Sequence, residues 1–119
     1  MRERFPRGVY ARGTEPDPRF SLANERTFLA WVRTALALLA VGVALEAVQV
    51  PVSPTLRFAS AAIFVLLGLL AAVQGWCGWR RTETALREGS PLPPASSALV
   101  IVIGVVLAVA LLAVGHAWG

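Results

Sequence analysis

One cysteine and one histidine are all the soft metal-ligating chemistry in this 119-residue chain. A structural zinc site takes about four ligands and a catalytic one about three from protein, so a single protomer can build neither. With one cysteine no intramolecular disulfide is possible. Lysine is absent, and all 11 basic residues are arginine. Charge is scarce, at 15% of residues, and none follows Glu88. No nucleophile–base pair and no Gly-rich phosphate loop is present, so no catalytic residue, metal or cofactor is expected. What remains is apolar: 56% of residues, against ~45–50% in a soluble domain, with a mean hydropathy of +0.65. These residues gather in long runs rather than recurring at the period of a globular core, which excludes an aqueous two-domain enzyme. In such a chain the net charge of +4 points to the membrane surface and anionic ligands, not to nucleic acid.

Residues 58–79 and the stretch after Glu88 carry no charge, and each can cross ~30 Å of hydrocarbon at ~1.5 Å per helical residue. The first span is less clean. Its uncharged part, 34–45, is too short, and extending it to 28–49 takes in Arg33 and Glu46 near its two ends, where charged heads can snorkel to the headgroups. Residues 1–27 hold six arginines and four acids with no apolar core of a signal peptide. Asp17 followed by Pro18 reads as an N-cap with proline at the first helical position. The expected layout is therefore a disordered basic arm over 1–17 and an all-α, three-span membrane domain over 18–119, with helices at about 18–49, 56–79 and 96–118. A turn at Pro51–Pro54 and a polar loop over 80–94 join them.

Arginine counts set the expected orientation. Six precede or open the first span and three (Arg80, Arg81, Arg87) follow the second, against Arg57 alone in the first turn. The positive-inside rule then places the N-terminus in the cytoplasm and the C-terminus outside. Trp31, Trp76 and Trp79 fall at the inner boundary and Trp118 at the outer one, as an interfacial aromatic belt would.

Arg19, Arg26 and Arg33 recur every seven residues, and a helix turns only about 20° further per heptad, so they form one stripe. An intramembrane arginine facing lipid costs ~2.5–3.5 kcal/mol. Arg33 is thus expected to face the bundle, a water-filled path or a neighbouring subunit, to snorkel outward, or to pair with Gln74 at similar depth. The stripe has two readings. One is an anion path, since forked guanidinium donors above a helix N-terminus suit phosphate oxygens. The other is topological anchoring. Asn24 and Glu25 are read as capping or inter-subunit residues, with Glu25 placed to pair with Arg26 of an adjacent protomer. Glu46 lies on the opposite face with Ala35 and Gly42, within reach of Arg57. A proton relay is its sharper alternative, though no second intramembrane acid accompanies it. Cys77 is read as a packing residue, His116 as interfacial, and Gly68, Gly75 and Gly104 as helix–helix contacts.

The segment Leu22-Ala23-Asn24-Glu25-Arg26-Thr27-Phe28-Leu29-Ala30-Trp31-Val32-Arg33-Thr34 resembles the signature of the YidH-like bacterial inner-membrane family, three-span proteins with a domain of unknown function. With the three-span layout and Arg-rich second loop, the likeness extends over about residues 17–118. The signature also resembles the small membrane subunit of the eukaryotic vacuolar transporter chaperone, part of a polyphosphate polymerase. There, three-span units surround a pore for polyphosphate, and basic residues at the mouth of the first helix handle the chain. By that resemblance Arg19, Glu25 and Arg26 occupy the positions of the pore-mouth basic, acidic and basic residues. Arg33 replaces an uncharged polar residue of the eukaryotic subunit and resembles the bacterial branch. No polymerase or phosphate-sensing domain is present, so synthesis is not expected. Two functions follow: a homo-oligomeric conduit or binding site for a polyanion, or an accessory subunit of an unidentified membrane partner without transport of its own.

Overall fold

Two long helices begin on prolines, each placed where a missing N–H leaves no bond unmade. The computed structural model describes residues 5–92 and 97–118. Its helices are α1 (Arg7–Tyr10), α2 (Pro18–Val48), α3 (Pro54–Glu88) and α4 (Ser97–Trp118), with no strand among the described residues. Pro18 and Pro54 open α2 and α3, and the Asp17 carboxylate caps α2 by accepting from the Arg19 N–H at 2.9 Å. Gln49 ends α2 in the left-handed region at φ 56°. Gly89 ends α3 at φ 68°, its N–H returning to the Ala85 carbonyl, the usual glycine stop.

Three helices, α2, α3 and α4 from Ala98, are long and apolar enough to cross a membrane. The chain is all-α, as the charge-free runs require. Two boundaries differ from expectation. At 35 residues α3 is about 52 Å long, because residues 80–88 continue the helix instead of forming a loop. Nothing from Arg80 to Glu88 breaks a helix, and the first breaker is Gly89. Within the arm expected to be disordered, the short helix α1 packs on α3. Residues 1–4, Pro93, Pro94, the expected helix start at 96 and the Trp118 ring lie outside the described residues.

The layout is centred on α3. α3 lies between α2 and α4, and among the described residues α2 and α4 have no Cα atoms within 8 Å of each other. The core runs through Ala35 and Leu38 of α2, Phe64, Leu67 and Ala71 of α3, and Ile101 and Ala108 of α4. Small residues bring α2 and α3 together: a Cβ at Gly42 would stand 3.0 Å from the Ala61 carbonyl, and one at Gly68 would stand 3.0 Å from that of Ala35. Close backbone approach of this kind carries helix association in lipid, where apolar burial drives little. Ser60 Oγ donates to the Ala108 carbonyl at 3.1 Å, tying α3 to α4 by a fully buried bond. Gly75 faces Trp31 and Gly104 faces Leu67.

Candidate functional site

Successive residues of α2 turn by about 100°, so burial along the helix shows which face meets α3. Asn24, Ala35, Leu38 and Gly42 are buried. Arg19, Arg26 and Arg33 project from nearly the opposite side, and all three are exposed. The protomer's own bundle therefore does not shelter Arg33. Gln74 belongs to half-buried α3 surface, its amide 3.6 Å from where a Gly78 Cβ would stand. Arg33 and Gln74 are not paired, which removes that expectation, because the heptad turns Arg33 away from α3. Side chains on a helix lean toward its N-terminus, so Arg33 reaches back toward the level of Arg26.

The three arginines are not equivalent. Arg19 grips the Asp17 carboxylate, with Nη2 at 2.9 Å from Oδ2 and Nε at 3.3 Å from both oxygens. That side-chain bond, then the Arg19 backbone N–H, holds the Asp17 carboxyl below its ordinary range. Arg26 and Arg33 make no hydrogen bond or ion pair with the other described residues.

Asn24 does not cap α2, because that place is taken by Asp17. It is buried inside the protomer, where its Nδ2 donates to the Trp79 carbonyl at 3.1 Å and to Glu83 Oε1 at 3.3 Å. Ser21 Oγ donates to Glu83 Oε2 at 2.8 Å. Glu25, one residue on, is exposed on the flank beside Phe28 and Trp76.

One turn beyond Glu83, Arg87 holds the arm. Its Nε donates to the Arg12 carbonyl at 2.8 Å, Nη2 to the Tyr10 carbonyl at 3.0 Å and Nη1 to Glu15 Oε1 at 3.2 Å. The Thr14 N–H returns a bond to the Arg87 carbonyl at 3.0 Å. Gly13, at φ 57°, passes so close that a Cβ would collide with that carbonyl. Ser21 and Glu83 were not singled out from the sequence, and Arg87 entered only as one of the arginines that set the orientation. The available signal was Glu83 and Arg87 at i,i+4 in a segment without breakers, which marks a continuing helix.

Aromatic rings gather at the same end. Trp76 and Trp79 stack at 5.5 Å, Phe28 meets Trp76 edge-on at 6.3 Å, and Tyr10 meets Trp79 edge-on at 6.4 Å. Cys77 is half-buried between the tryptophans in sequence. At the other end Arg57 Nε lies 3.8 Å from Glu46 Oε1, an ion pair too long for a hydrogen bond; that buried Nε has no hydrogen-bond partner. His116 Nδ1 lies 3.2 Å from the Pro51 carbonyl. No three His, Cys, Asp or Glu side chains among the described residues could hold a metal together.

Three membrane-length helices, apolar along most of their length, define a small multi-pass membrane protein. Residues 19–85 match the model of a domain of unknown function, DUF202, and the chain belongs to that family. It is 42% identical over 104 residues to the inner membrane protein YidH of Escherichia coli (strain K12), covering 87% of this chain and 90% of that protein. It is 43% identical over 104 residues to an uncharacterized protein of Mycobacterium tuberculosis (strain ATCC 25618 / H37Rv), covering 85% of each. No solved structure matches.

Proposed function

We propose that this multi-pass protein of the bacterial inner membrane assembles as a homo-oligomer in which the Arg19–Arg26–Arg33 face of α2 binds or conducts a phosphate-rich anion such as polyphosphate. The observation that carries the reading is the direction of the stripe. Arg26 and Arg33 point away from α3 with their donors uncommitted, and guanidinium forks match phosphate oxygens. An arginine turned from its own bundle and set within a span is costly in lipid, and a facing protomer or ligand removes that cost. Three helices enclose no wide aqueous path of their own, so a conduit lies between protomers. The N-terminus is cytoplasmic and the C-terminus outside, by arginine distribution. Likeness to the vacuolar transporter chaperone subunit supports the same ligand class. No catalytic role is assigned.

The test is release of encapsulated polyphosphate from proteoliposomes, run beside Arg26→Ala and protein-free vesicles. Protein-dependent release that falls in Arg26→Ala supports the proposal. Release equal to that of protein-free vesicles favours an accessory subunit of another membrane complex, and stoichiometric co-purification then identifies the partner.

A further inference from the structure

Beside the arm, α2 and α3 part to leave a cavity of about 250 Å³. Four aromatic side chains, Tyr10, Phe28, Trp76 and Trp79, and two carboxylates, Glu25 and Glu83, form most of its lining. Among the described residues no arginine lines it, although arginine is the chain's dominant charge. We propose that this cavity is a receptor for an alkylammonium group, primary or quaternary, with Glu83 as the counter-charge.

Glu83 is the first reason. It is only 4% exposed, and both its hydrogen bonds come from neutral donors, Ser21 and Asn24. A carboxylate has about four acceptor positions, and buried carboxylates ordinarily meet a cation. Among the described residues no cationic side chain lies within 4.0 Å of Glu83. The walls are the second reason. Aromatic rings attract ammonium groups through their negative faces, and cages of them take quaternary ammonium ligands. This end of the fold already uses that attraction, with the Arg87 guanidinium 5.3 Å from the Tyr10 ring centroid.

Other occupants fit worse. An anion meets two carboxylates, and an apolar group leaves Glu83 without a counter-charge. A divalent metal ion wants about six oxygen ligands, which an aromatic wall does not supply. The volume is below the ~300–1,000 Å³ of drug-sized sites, which suits a small head group. Because the tryptophans lie where a span meets its interface, the ammonium has two sources: the ethanolamine or choline head of a zwitterionic lipid, or a soluble amine. The site is separate from the arginine stripe, so either proposal can fail without the other.

The experiment titrates tetramethylammonium chloride into the full chain in a sugar-headed detergent, reading tryptophan emission against equal additions of sodium chloride. A saturable change is expected, weakened at least about tenfold in Glu83→Gln and weakened in Phe28→Ala, and unaltered in Arg26→Ala. The titration is then repeated in nanodiscs of phosphatidylglycerol with and without phosphatidylethanolamine. If phosphatidylethanolamine abolishes the response, the lipid head is the occupant; if the response persists, the ligand is a soluble amine. Either result supports the receptor. A response no greater than that to sodium chloride in detergent and in phosphatidylglycerol discs overturns it. So does an undiminished response in both Glu83→Gln and Phe28→Ala, provided their helix content matches the parent.

Discussion

Arg87 and Tyr10 are joined twice: the guanidinium donates to the Tyr10 carbonyl at 3.0 Å, and its central carbon lies 5.3 Å from the centroid of the same residue's ring. Both contacts come from one residue of α3 and fasten the arm to the end of the bundle.

Arg87→Leu is expected to release the arm while leaving the three spans packed. Losing hydrogen bonds from a charged, buried group costs about 2–3 kcal/mol, local to the arm. Hydrogen exchange at the Thr14 amide, which donates to the Arg87 carbonyl, then accelerates roughly 30- to 150-fold. Arg87→Lys keeps the charge but loses the fork, so its effect falls between.

Glycines at two depths give opposite signs. Gly68→Ala puts a Cβ 3.0 Å from the Ala35 carbonyl and 2.7 Å from Leu39 Cγ, and overpacking of this kind costs about 1–3 kcal/mol. Gly78→Ala meets nothing nearer than Gln74 Nε2 at 3.6 Å and stabilises by up to about 1 kcal/mol through helix propensity. Reversible unfolding in mixed micelles measures both.

Acid should fray the start of α2. Asp17 has a lowered folded-state pKa, caused first by the Arg19 side chain. Its stabilisation is complete above the unfolded value of ~3.9 and is lost as pH falls through the lower folded value. Exchange at the Arg19 amide, followed from neutral to acidic pH, is expected to lose protection over that window after correction for intrinsic rates. In Asp17→Asn the pH step disappears while part of the cap remains.

Topology is open to direct labelling. On a Cys77→Ala background, Ser90→Cys is expected to resist an impermeant maleimide in intact cells or spheroplasts, and Val52→Cys to react. The reverse pattern inverts the orientation proposed above.

Legibility in the sequence divided along physical lines. The spans were readable because lipid demands unbroken apolar runs, and the alignment of Arg19, Arg26 and Arg33 because a heptad turns a helix only slightly past a whole number of turns; which way that stripe faces waited for the packing of α2 on α3. Residues 80–88 read as a loop because their charges signalled water, yet a helix in water is as permissible as a loop when no breaker intervenes. The arm is bonded to Arg87, far away in sequence, and no local pattern encodes such a contact. The partners of Asn24 were hidden for the same reason: its amide donates to Trp79 and Glu83, both on another helix.

Because α2 and α4 each rest on α3 and not on each other, the chain has the mechanics of a mast with two stays. The mast's upper quarter, residues 80–88, stands beyond the Trp76–Trp79 pair and meets the arm. A tilt or axial turn of α3 displaces both other spans together, whereas motion of α4 reaches α2 through α3 and through the turn at Pro51–Ser53, to which the end of α4 is bonded. A binding event at the arm end thus has one rigid rod through which to be felt at the far side of the membrane.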